Sequence, residues 1–283
     1  MTQDIILLSL AILPVLLLAT FVYRKDSYQK EPIGMLFKAF FFGCLSVIPA
    51  IILEQFLTDA YMGPSPSWIE GAYTGYIVAG CSEELSKLLL LLLAVWRSRH
   101  FDEYFDGIVY AAFVGLGFAG LENIMYVFNQ TDFSTSFMTG SMRAILSVPG
   151  HFLFAVVMGY YFARAKFEPE HRGSMLFKAF FFPMLLHGTF DALLMIPEAM
   201  GESGSWLSVF LFPVFIYFDI KLWKIGMRRL NHLQELSRQQ QFEGGPDAWH
   251  TGYENRDDDD YSGSGYHDGS AGDDPFKGFK WDV

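Results

Sequence analysis

The sequence predicts an all-α, polytopic transmembrane helical bundle of about seven spans, followed by a disordered acidic C-terminal tail. Hydrophobic residues make up 52% of the 283 residues and aromatic residues 17%, which is too apolar for a soluble globular protein of this length. The apolar residues lie in long segments, and the short connections between them alternate between carrying and lacking Lys and Arg. We therefore expect a multi-pass protein of the cell membrane, surrounded by the lipid bilayer.

Each predicted span is long enough to cross the hydrocarbon core. A transmembrane helix needs roughly 20 mostly apolar residues, because its backbone polar groups have to be hydrogen-bonded within the helix. The first span starts close to Met1 with no basic stretch before it, so we interpret it as a span rather than a cleavable signal peptide. The predicted spans are Ile5–Tyr23, Ile33–Leu53, Ala72–Trp96, Gly107–Phe128, Met142–Arg164, Met175–Ile196 and Trp206–Trp223.

The orientation follows from the positions of the basic residues, because short cytoplasmic loops retain Lys and Arg. The connections 54–71, 129–141 and 197–205 contain neither residue. Basic residues follow the odd-numbered spans, at Arg24, Lys25, Lys30, Arg97, Arg99, Arg164, Lys166, Arg172, Lys224, Arg228 and Arg229. This alternation predicts an N-terminus outside the cell and a C-terminus in the cytoplasm.

The predicted transmembrane domain comprises residues 1–229. The chain that follows it divides into two further parts. Residues 230–241 carry Leu230, Leu233 and Leu236 among basic and polar residues, which predicts a juxtamembrane amphipathic helix on the inner membrane surface. Residues 242–283 combine four consecutive aspartates with Gly and Ser and hold a net charge of −8, which predicts a disordered acidic tail. The rest of the chain is nearly balanced in charge, and we expect no nucleic-acid partner.

Ionisable residues within the third span are the first functional signal, because a charge inside a span costs roughly 2.5–3.5 kcal/mol on insertion scales. Glu83 and Lys87 are four residues apart and Glu84 and Lys87 three, so the lysine can face both carboxylates on a helix. Two neighbouring carboxylates in a medium of low dielectric cannot easily both be ionised, an arrangement that suits one base and one acid. A structural Glu–Lys bridge between helices is the alternative interpretation.

Three further spans carry buried polar candidates. The fourth has Glu122 and Asn123 on a glycine-rich helix, and the fifth has His151, for which a hydrogen-bonded core histidine is the structural alternative. In the sixth span His187 and Asp191 are four residues apart, as expected where a carboxylate orients an imidazole. With a rise of ~1.5 Å per residue, Glu83, Glu84, Glu122, His151 and His187 lie about 10–16 Å from the outer ends of their helices. They can therefore share one layer in the outer half of the membrane.

These motifs resemble the PrsW family of bacterial intramembrane proteases, within the superfamily that includes the CAAX prenyl endopeptidases and bacteriocin-processing enzymes. The resemblance rests on EExxK at Glu83–Lys87, FxxxE at Phe118–Glu122, and the histidine motifs at His151 and His187–Asp191. Glu31-Pro32 and Phe105-Asp106-Gly107 are similar to the family as well. The resemblance implies cleavage of a membrane-anchored protein near the external side of its transmembrane helix, with anti-sigma factors of bacterial stress signalling as the best-known substrates.

Peptide hydrolysis needs an activated water and donors for the developing oxyanion. Our first hypothesis makes Glu83 or Glu84 the general base, with Lys87 tuning the pair. The candidates for binding the oxyanion or the water are His151, His187 and Asn123, and Asp191 is the candidate for orienting His187.

A second mechanism is left open, because the resembled family has also been classed with metalloproteases. Glu122, His151 and His187 can form a zinc site with three protein ligands and an open position for water. The sequence has no HExxH helix to support such a site, and the cofactor therefore stays either absent or a divalent metal such as zinc.

Two other classes of function remain compatible with the sequence. Buried Glu, His and Lys also form the ion and proton pathways of transporters, whose function would survive Glu83→Gln with altered coupling. A non-catalytic membrane scaffold would tolerate Glu84→Ala, which neither active class would do.

Overall fold

A computed structural model describes residues 2–26 and 29–242 of the chain, apart from the side chain at position 203. Within these ranges the chain forms nine α-helices and no strand, which confirms the all-α prediction. The predicted tail, residues 242–283, lies outside the described residues except for Phe242. The helices are α1 (Thr2–Lys25), α2 (Ile33–Asp59), α3 (Trp68–Tyr73), α4 (Ser82–Val95), α5 (Tyr104–Phe128), α6 (Phe133–Met142), α7 (Val148–Phe167), α8 (Arg172–Ala199) and α9 (Ser205–Phe242).

Six helical stretches of the described chain are long and apolar enough to cross a membrane: Thr2–Lys25, Ile33–Asp59, Tyr104–Phe128, Phe133–Phe167, Pro169–Ala199 and Ser205–Phe242. They match six of the predicted spans. The third predicted span is different, because it is built from α3, a π-helical segment and α4, and it contains two glutamates and a lysine. The multi-span prediction is confirmed, and the stretch that is not apolar enough is the one that carries the charged motif.

Two π-helical segments interrupt the regular helices, Thr74–Cys81 between α3 and α4 and Arg143–Ser147 between α6 and α7. The backbone hydrogen bonds of a π-helix join residues five positions apart, rather than four as in an α-helix. A π-helical segment therefore alters the direction in which the following side chains point. The first π-helical segment ends two residues before Glu83, and the second ends four residues before His151. Both segments therefore set the facing of side chains that the sequence singled out.

Helices α5 and α7 lie at the centre of the bundle. In their spans 72% and 78% of the residues are buried, whereas the figures for α1 and α9 are 22% and 11%. Small residues let the two central helices approach closely, because a side chain at Gly107 or Gly159 would collide with the backbone of the facing helix. The central position of α5 and α7 keeps Glu122 and His151 inside the protein.

The last helix, α9, continues without a break from the membrane region to Phe242. Leu230 and Leu233, which suggested contact with the membrane surface, are fully buried within the protein. Ser237 Oγ accepts a hydrogen bond of 2.8 Å from the backbone N–H of Phe105, and Gln240 Nε2 donates one of 3.1 Å to the carbonyl of Asp102. The end of α9 thus holds the start of α5, and a separate juxtamembrane domain at 230–241 stays a prediction.

Candidate active site

The first π-helical segment packs tightly on α8, and this contact brings α4 opposite His187. Gly80 and Gly188 lie at the interface, where a Cβ on Gly80 would be 3.0 Å from the backbone nitrogen of Gly188. A Cβ on Gly188 would be 2.9 Å from the Cα atom of Tyr76. Only glycine permits this separation, since ordinary side chains would push the helices apart.

Lys87 joins the two glutamates of α4 to α7. Its ammonium donates hydrogen bonds of 3.0 Å to Glu83 Oε2 and 2.7 Å to Glu84 Oε1. It also lies 3.0 Å from His151 Nδ1 and 4.0 Å from the centre of the Phe118 ring. All three charged side chains are buried, so the lysine is the cation that balances both carboxylates of α4.

His187 lies between two carboxylates. Its Nδ1 atom is 2.9 Å from Glu84 Oε1, and its Nε2 atom is 3.2 Å from Asp191 Oδ2. The imidazole stacks on the Phe154 ring with the centroids 4.7 Å apart. Hydrogen bonding at both nitrogens and stacking on one face hold the ring in a single orientation.

His151 connects the α4 glutamates to Glu122. Its Nε2 atom is 2.9 Å from Glu122 Oε2, while Nδ1 faces Lys87. The same Glu122 oxygen accepts a hydrogen bond of 2.7 Å from Arg143 Nη2, and the guanidinium stacks on the ring of Tyr126. A continuous chain of polar contacts therefore runs from Asp191 through both histidines to Arg143.

Asn123 is fully buried beside this chain, and both ends of its amide are engaged. Its Nδ2 atom donates to the carbonyl of Ala11 at 3.1 Å, and its Oδ1 atom accepts from Arg143 Nε at 3.0 Å. The side chain thus ties α1 and Arg143 to α5. Its donor is directed at the backbone of α1 and away from the other predicted site residues.

A cavity of about 1130 Å³ opens onto the polar residues. Most of its lining is apolar and comes from α2, α5, α8 and α9. The polar residues that line it are Glu54, Thr74, Glu83, Glu122, Asn129, Arg143, Ser147, His151, His187, Asp191 and Glu198. Its size and apolar walls suit an extended stretch of polypeptide, and its polar groups can reach a peptide bond.

The cavity distinguishes the two neighbouring glutamates. Glu83 lines it and keeps 5% of its surface exposed. Glu84 does not line it, has no exposed surface, and is held by Lys87 and His187. Substrate in the cavity can therefore contact Glu83, whereas Glu84 is enclosed behind it by Lys87 and His187.

Four donors are close enough to hold one metal ion. One oxygen each of Glu83 and Glu84 and one nitrogen each of His151 and His187 lie within 4.8 Å of one another. Carboxylate oxygens and imidazole nitrogens are zinc ligands, and the second oxygen of Glu84, Oε2, is buried without a hydrogen-bond partner. The donor set of these four residues fits a divalent metal.

The charges agree with that conclusion. The connected side chains comprise four carboxylates and two permanent cations, Glu83, Glu84, Glu122 and Asp191 against Lys87 and Arg143. Metal binding requires neutral histidines and releases the proton that lets His187 bond two carboxylates. With both histidines neutral and the four carboxylates ionised, the carboxylates exceed the cations by two charges, which one divalent cation would neutralise.

The structure brings together all the predicted site residues, with different neighbours for some of them. Glu122 was predicted as a metal ligand with both histidines, but its oxygen contacts Arg143 and it lies outside the four-donor group. Arg143 and Glu54 were missed. Arg143 was detectable, because it is a basic residue at the outer end of a span whose flanking loop has no Lys or Arg. Glu54 was missed because we expected α2 to end at Leu53, whereas the helix continues to Asp59.

Comparison with known proteins adds independent information about the chain. Residues 31–218 match the model of a family described as PrsW family intramembrane metalloprotease. Proteins named Protease PrsW are similar over most of their length: 37% identity in Clostridioides difficile, covering 81% of this chain and 92% of that protein, and 33% in Geobacillus kaustophilus, covering 83% and 95%. The Bacillus subtilis protein is 31% identical, with coverage of 83% and 98%. No solved structure is significantly similar to the chain.

Proposed function

The chain belongs to the PrsW family of intramembrane metalloproteases, and on that basis we propose how its buried residues cleave a peptide bond. It is an intramembrane endopeptidase and thus a peptide hydrolase, which decides against the transporter and scaffold alternatives. The observation that carries the mechanism is the convergence of two carboxylates and two imidazoles beside an apolar cavity.

Glu83 is the general base of this mechanism. It is the α4 glutamate that lines the cavity, so it can contact a water molecule and a substrate peptide bond together. Glu83 takes a proton from the water as the water oxygen bonds to the carbonyl carbon. It then delivers that proton to the peptide nitrogen as the C–N bond breaks, which leaves an acid and an amine as products.

Glu84, His151 and His187 are the residues that would hold a zinc ion, leaving Glu83 for proton transfer. Three protein ligands with an open position are typical of catalytic zinc sites. A bound zinc ion would polarise the peptide carbonyl and favour ionisation of a coordinated water. In the alternative mechanism without metal, His151 and His187 become the oxyanion donors, since each has a nitrogen within 3.9 Å of Glu83 Oε2.

The remaining polar residues position these groups. Lys87 fixes both α4 carboxylates, and Asp191 orients His187. Arg143 fixes Glu122, which in turn holds His151 through its Nε2 atom. We assign Asn123 to the same class, because both ends of its amide engage other parts of the protein.

The proposed substrate is a membrane-anchored protein such as an anti-sigma factor, cut near the external side of its transmembrane helix. The apolar walls of the cavity favour a hydrophobic segment. An outside N-terminus and a cytoplasmic C-terminus are part of this proposal, and the distribution of Lys and Arg supports them. With that orientation the site lies in the outer half of the bilayer.

The test is cleavage of single-span reporter proteins by the purified full chain in proteoliposomes. Wild type is compared with Glu83→Gln, which removes the base, and with Glu170→Gln, the same substitution at an exposed position. Each protein is assayed after treatment with a chelator and again after addition of zinc. We expect Glu83→Gln to lower the cleavage rate by at least 10²-fold, the usual contribution of a general base, with Glu170→Gln unchanged.

The outcomes separate the two parts of the proposal. Chelator-sensitive activity that zinc restores supports a metal at Glu84, His151 and His187. Activity that resists chelation while still requiring Glu83 overturns the metal and leaves the base in place. Normal cleavage by a correctly folded Glu83→Gln variant overturns the assignment of the base.

A further inference from the structure

A second group of carboxylates lies at the opposite end of α5 from Glu122. One carboxylate oxygen from each of Glu31, Asp102 and Asp106 lies within 4.8 Å of the others, and we call these three residues the Glu31 cluster. Asp106 and Glu122 are sixteen positions apart on one helix, which corresponds to about 24 Å at ~1.5 Å per residue. The Glu31 cluster is therefore separate from the candidate active site.

The carboxyl of Asp106 is fully buried and only partly satisfied. Its Oδ2 atom accepts hydrogen bonds from the backbone N–H groups of Asp102 at 3.0 Å and Glu103 at 2.8 Å. Its Oδ1 atom has no hydrogen-bond partner. Glu31 is buried opposite it and accepts a hydrogen bond from the Tyr110 hydroxyl. The carboxyls of Glu31 and Asp106 are in hydrogen-bonding contact, so they need either a shared proton or a cation between them, because a buried acceptor is costly to leave unpaired.

Two neighbouring carboxylates share this shortage of donors. Asp26 Oδ1 and Glu103 Oε1 are also buried without a partner. Within residues 2–26 and 29–242, no lysine or arginine forms an ion pair with any carboxylate of this group. Lys30 is nearby in sequence, but its ammonium donates to the carbonyl of Tyr23 and lies over that ring. Lys30 still acts on Asp26 through its charge, whereas Glu31, Asp102 and Asp106 form no ion pair with a lysine or arginine of the described chain.

We propose that Glu31, Asp102 and Asp106 form a second metal site, which binds a hard divalent cation. Its donors are all oxygen atoms, the ligands preferred by Mg²⁺, Ca²⁺ and Mn²⁺, whereas the candidate active site offers imidazole nitrogens that suit zinc. The two sites differ in donor chemistry as well as in position.

A cation at the Glu31 cluster would join two parts of the bundle. Glu31 belongs to the connection between α1 and α2, while Asp106 lies in the first turn of α5 and Asp102 two residues before that helix. The carbonyl of Asp102 also accepts a hydrogen bond from Gln240 near the end of α9. Since α5 carries Glu122, the cation would stabilise the helix that supports the catalytic residues without contacting them.

The experiment is a thermal unfolding titration of the full chain in lipid nanodiscs at pH 8, where carboxylates can release protons to a metal. Metal is first removed with a chelator and the chelator is washed out. Mg²⁺, Ca²⁺ and Mn²⁺ are then added separately, and unfolding is followed by tryptophan fluorescence. At ten times the dissociation constant we expect the unfolding midpoint to rise by roughly 3–6 °C.

Variants assign that rise to the Glu31 cluster. Asp106→Asn and Glu31→Gln should abolish it, while the exposed control Glu170→Gln and the active-site variant Glu83→Gln should retain it. If Asp106→Asn fails to fold, Asp102→Asn replaces it, because Asp102 is only partly buried. The proposal is overturned if no cation raises the wild-type midpoint, as expected when Glu31 and Asp106 share a proton instead. It is equally overturned if the rise persists in the cluster variants or disappears in Glu83→Gln.

Discussion

Replacing Glu84 by Gln should damage the stability of the protein far more than replacing Glu83. The two substitutions are chemically identical and one residue apart. Glu84 has no exposed side-chain surface and accepts hydrogen bonds from Lys87 at 2.7 Å and from His187 at 2.9 Å. Glu83 accepts from Lys87 at 3.0 Å and opens to the cavity, where water can compensate for a lost charge.

The expected magnitude follows from the two buried contacts that Glu84 makes. A hydrogen bond to a charged group contributes about 1.5–3 kcal/mol, so weakening the contacts to Lys87 and His187 together should cost about 3–6 kcal/mol. For a chain of this length each kcal/mol lowers the unfolding midpoint by about 2–4 °C, so Glu84→Gln should lower it by roughly 6–24 °C. In Glu83→Gln the remaining Glu84 carboxylate still balances Lys87. We expect that variant to lose about 0.5–1.5 kcal/mol, the net contribution of a typical hydrogen bond, because the neutral Gln carbonyl can still accept from Lys87.

The assay combines thermal unfolding and reporter cleavage on the same nanodisc preparations, with Glu170→Gln as the exposed control. Glu83→Gln should unfold close to wild type and be inactive, whereas Glu84→Gln should unfold much earlier. Equal midpoints for the two variants would refute the distinction between a cavity-facing base and a fully enclosed carboxylate. If Glu84→Gln were stable but inactive while Glu83→Gln stayed active, the roles assigned to the two glutamates would have to be exchanged.

Three further predictions concern other parts of the molecule. Arg143→Lys should lower the cleavage rate by about 10–100-fold at nearly unchanged stability, because an ammonium cannot bond both Glu122 and Asn123 with the geometry of a guanidinium. A wild-type rate in the reporter assay would contradict this. Gly188→Ala should destabilise the bundle by about 1–3 kcal/mol through overpacking, whereas Gly173→Ala, with open space around it, should be neutral; equal unfolding midpoints would refute the close contact. Burial raises the pKa of Glu31 to about 7 and that of Glu103 to about 8. The folded state therefore binds more protons than the unfolded state above pH 4.5, and the stability of the metal-free protein should fall as the pH rises from about 5 to about 8; a midpoint that rises over this range would contradict the shifts.

Much of the architecture could be predicted from the sequence, because the bilayer imposes simple rules on length and polarity. Apolar stretches located the spans, and estimated depth grouped Glu83, His151 and His187 in one layer. The exceptions have local causes. Helix α2 continues past Leu53 to Asp59, because its polar outer turn stays helical. Glu54 therefore belongs to the helix and faces the cavity.

The finer arrangement of the site depends on contacts that span periodicity does not reveal. Arg143 reaches Glu122 across 21 residues because α6 returns into the bundle before the second π-helical segment. The π-helical segments themselves have no distinct composition, so the facing of Glu83 and His151 could not be derived. The sequence also could not separate Glu83 from Glu84, because their difference arises from packing against Lys87 and His187.

The charged segment Trp68–Val95 has a consequence for how the protein is made. It is absent from the six stretches that can cross a membrane by composition alone, and each central charge opposes insertion by roughly 2.5–3.5 kcal/mol. His187, its partner on α8, is synthesised 103 residues after Glu84, which is a delay of about 5–20 s at ~5–20 residues per second. Before α7 and α8 are made, the two glutamates and Lys87 can neutralise only one another. The charged segment Trp68–Val95 should therefore become stably inserted in the bilayer only late during translation. At that stage the nascent chain is most exposed to cellular quality control.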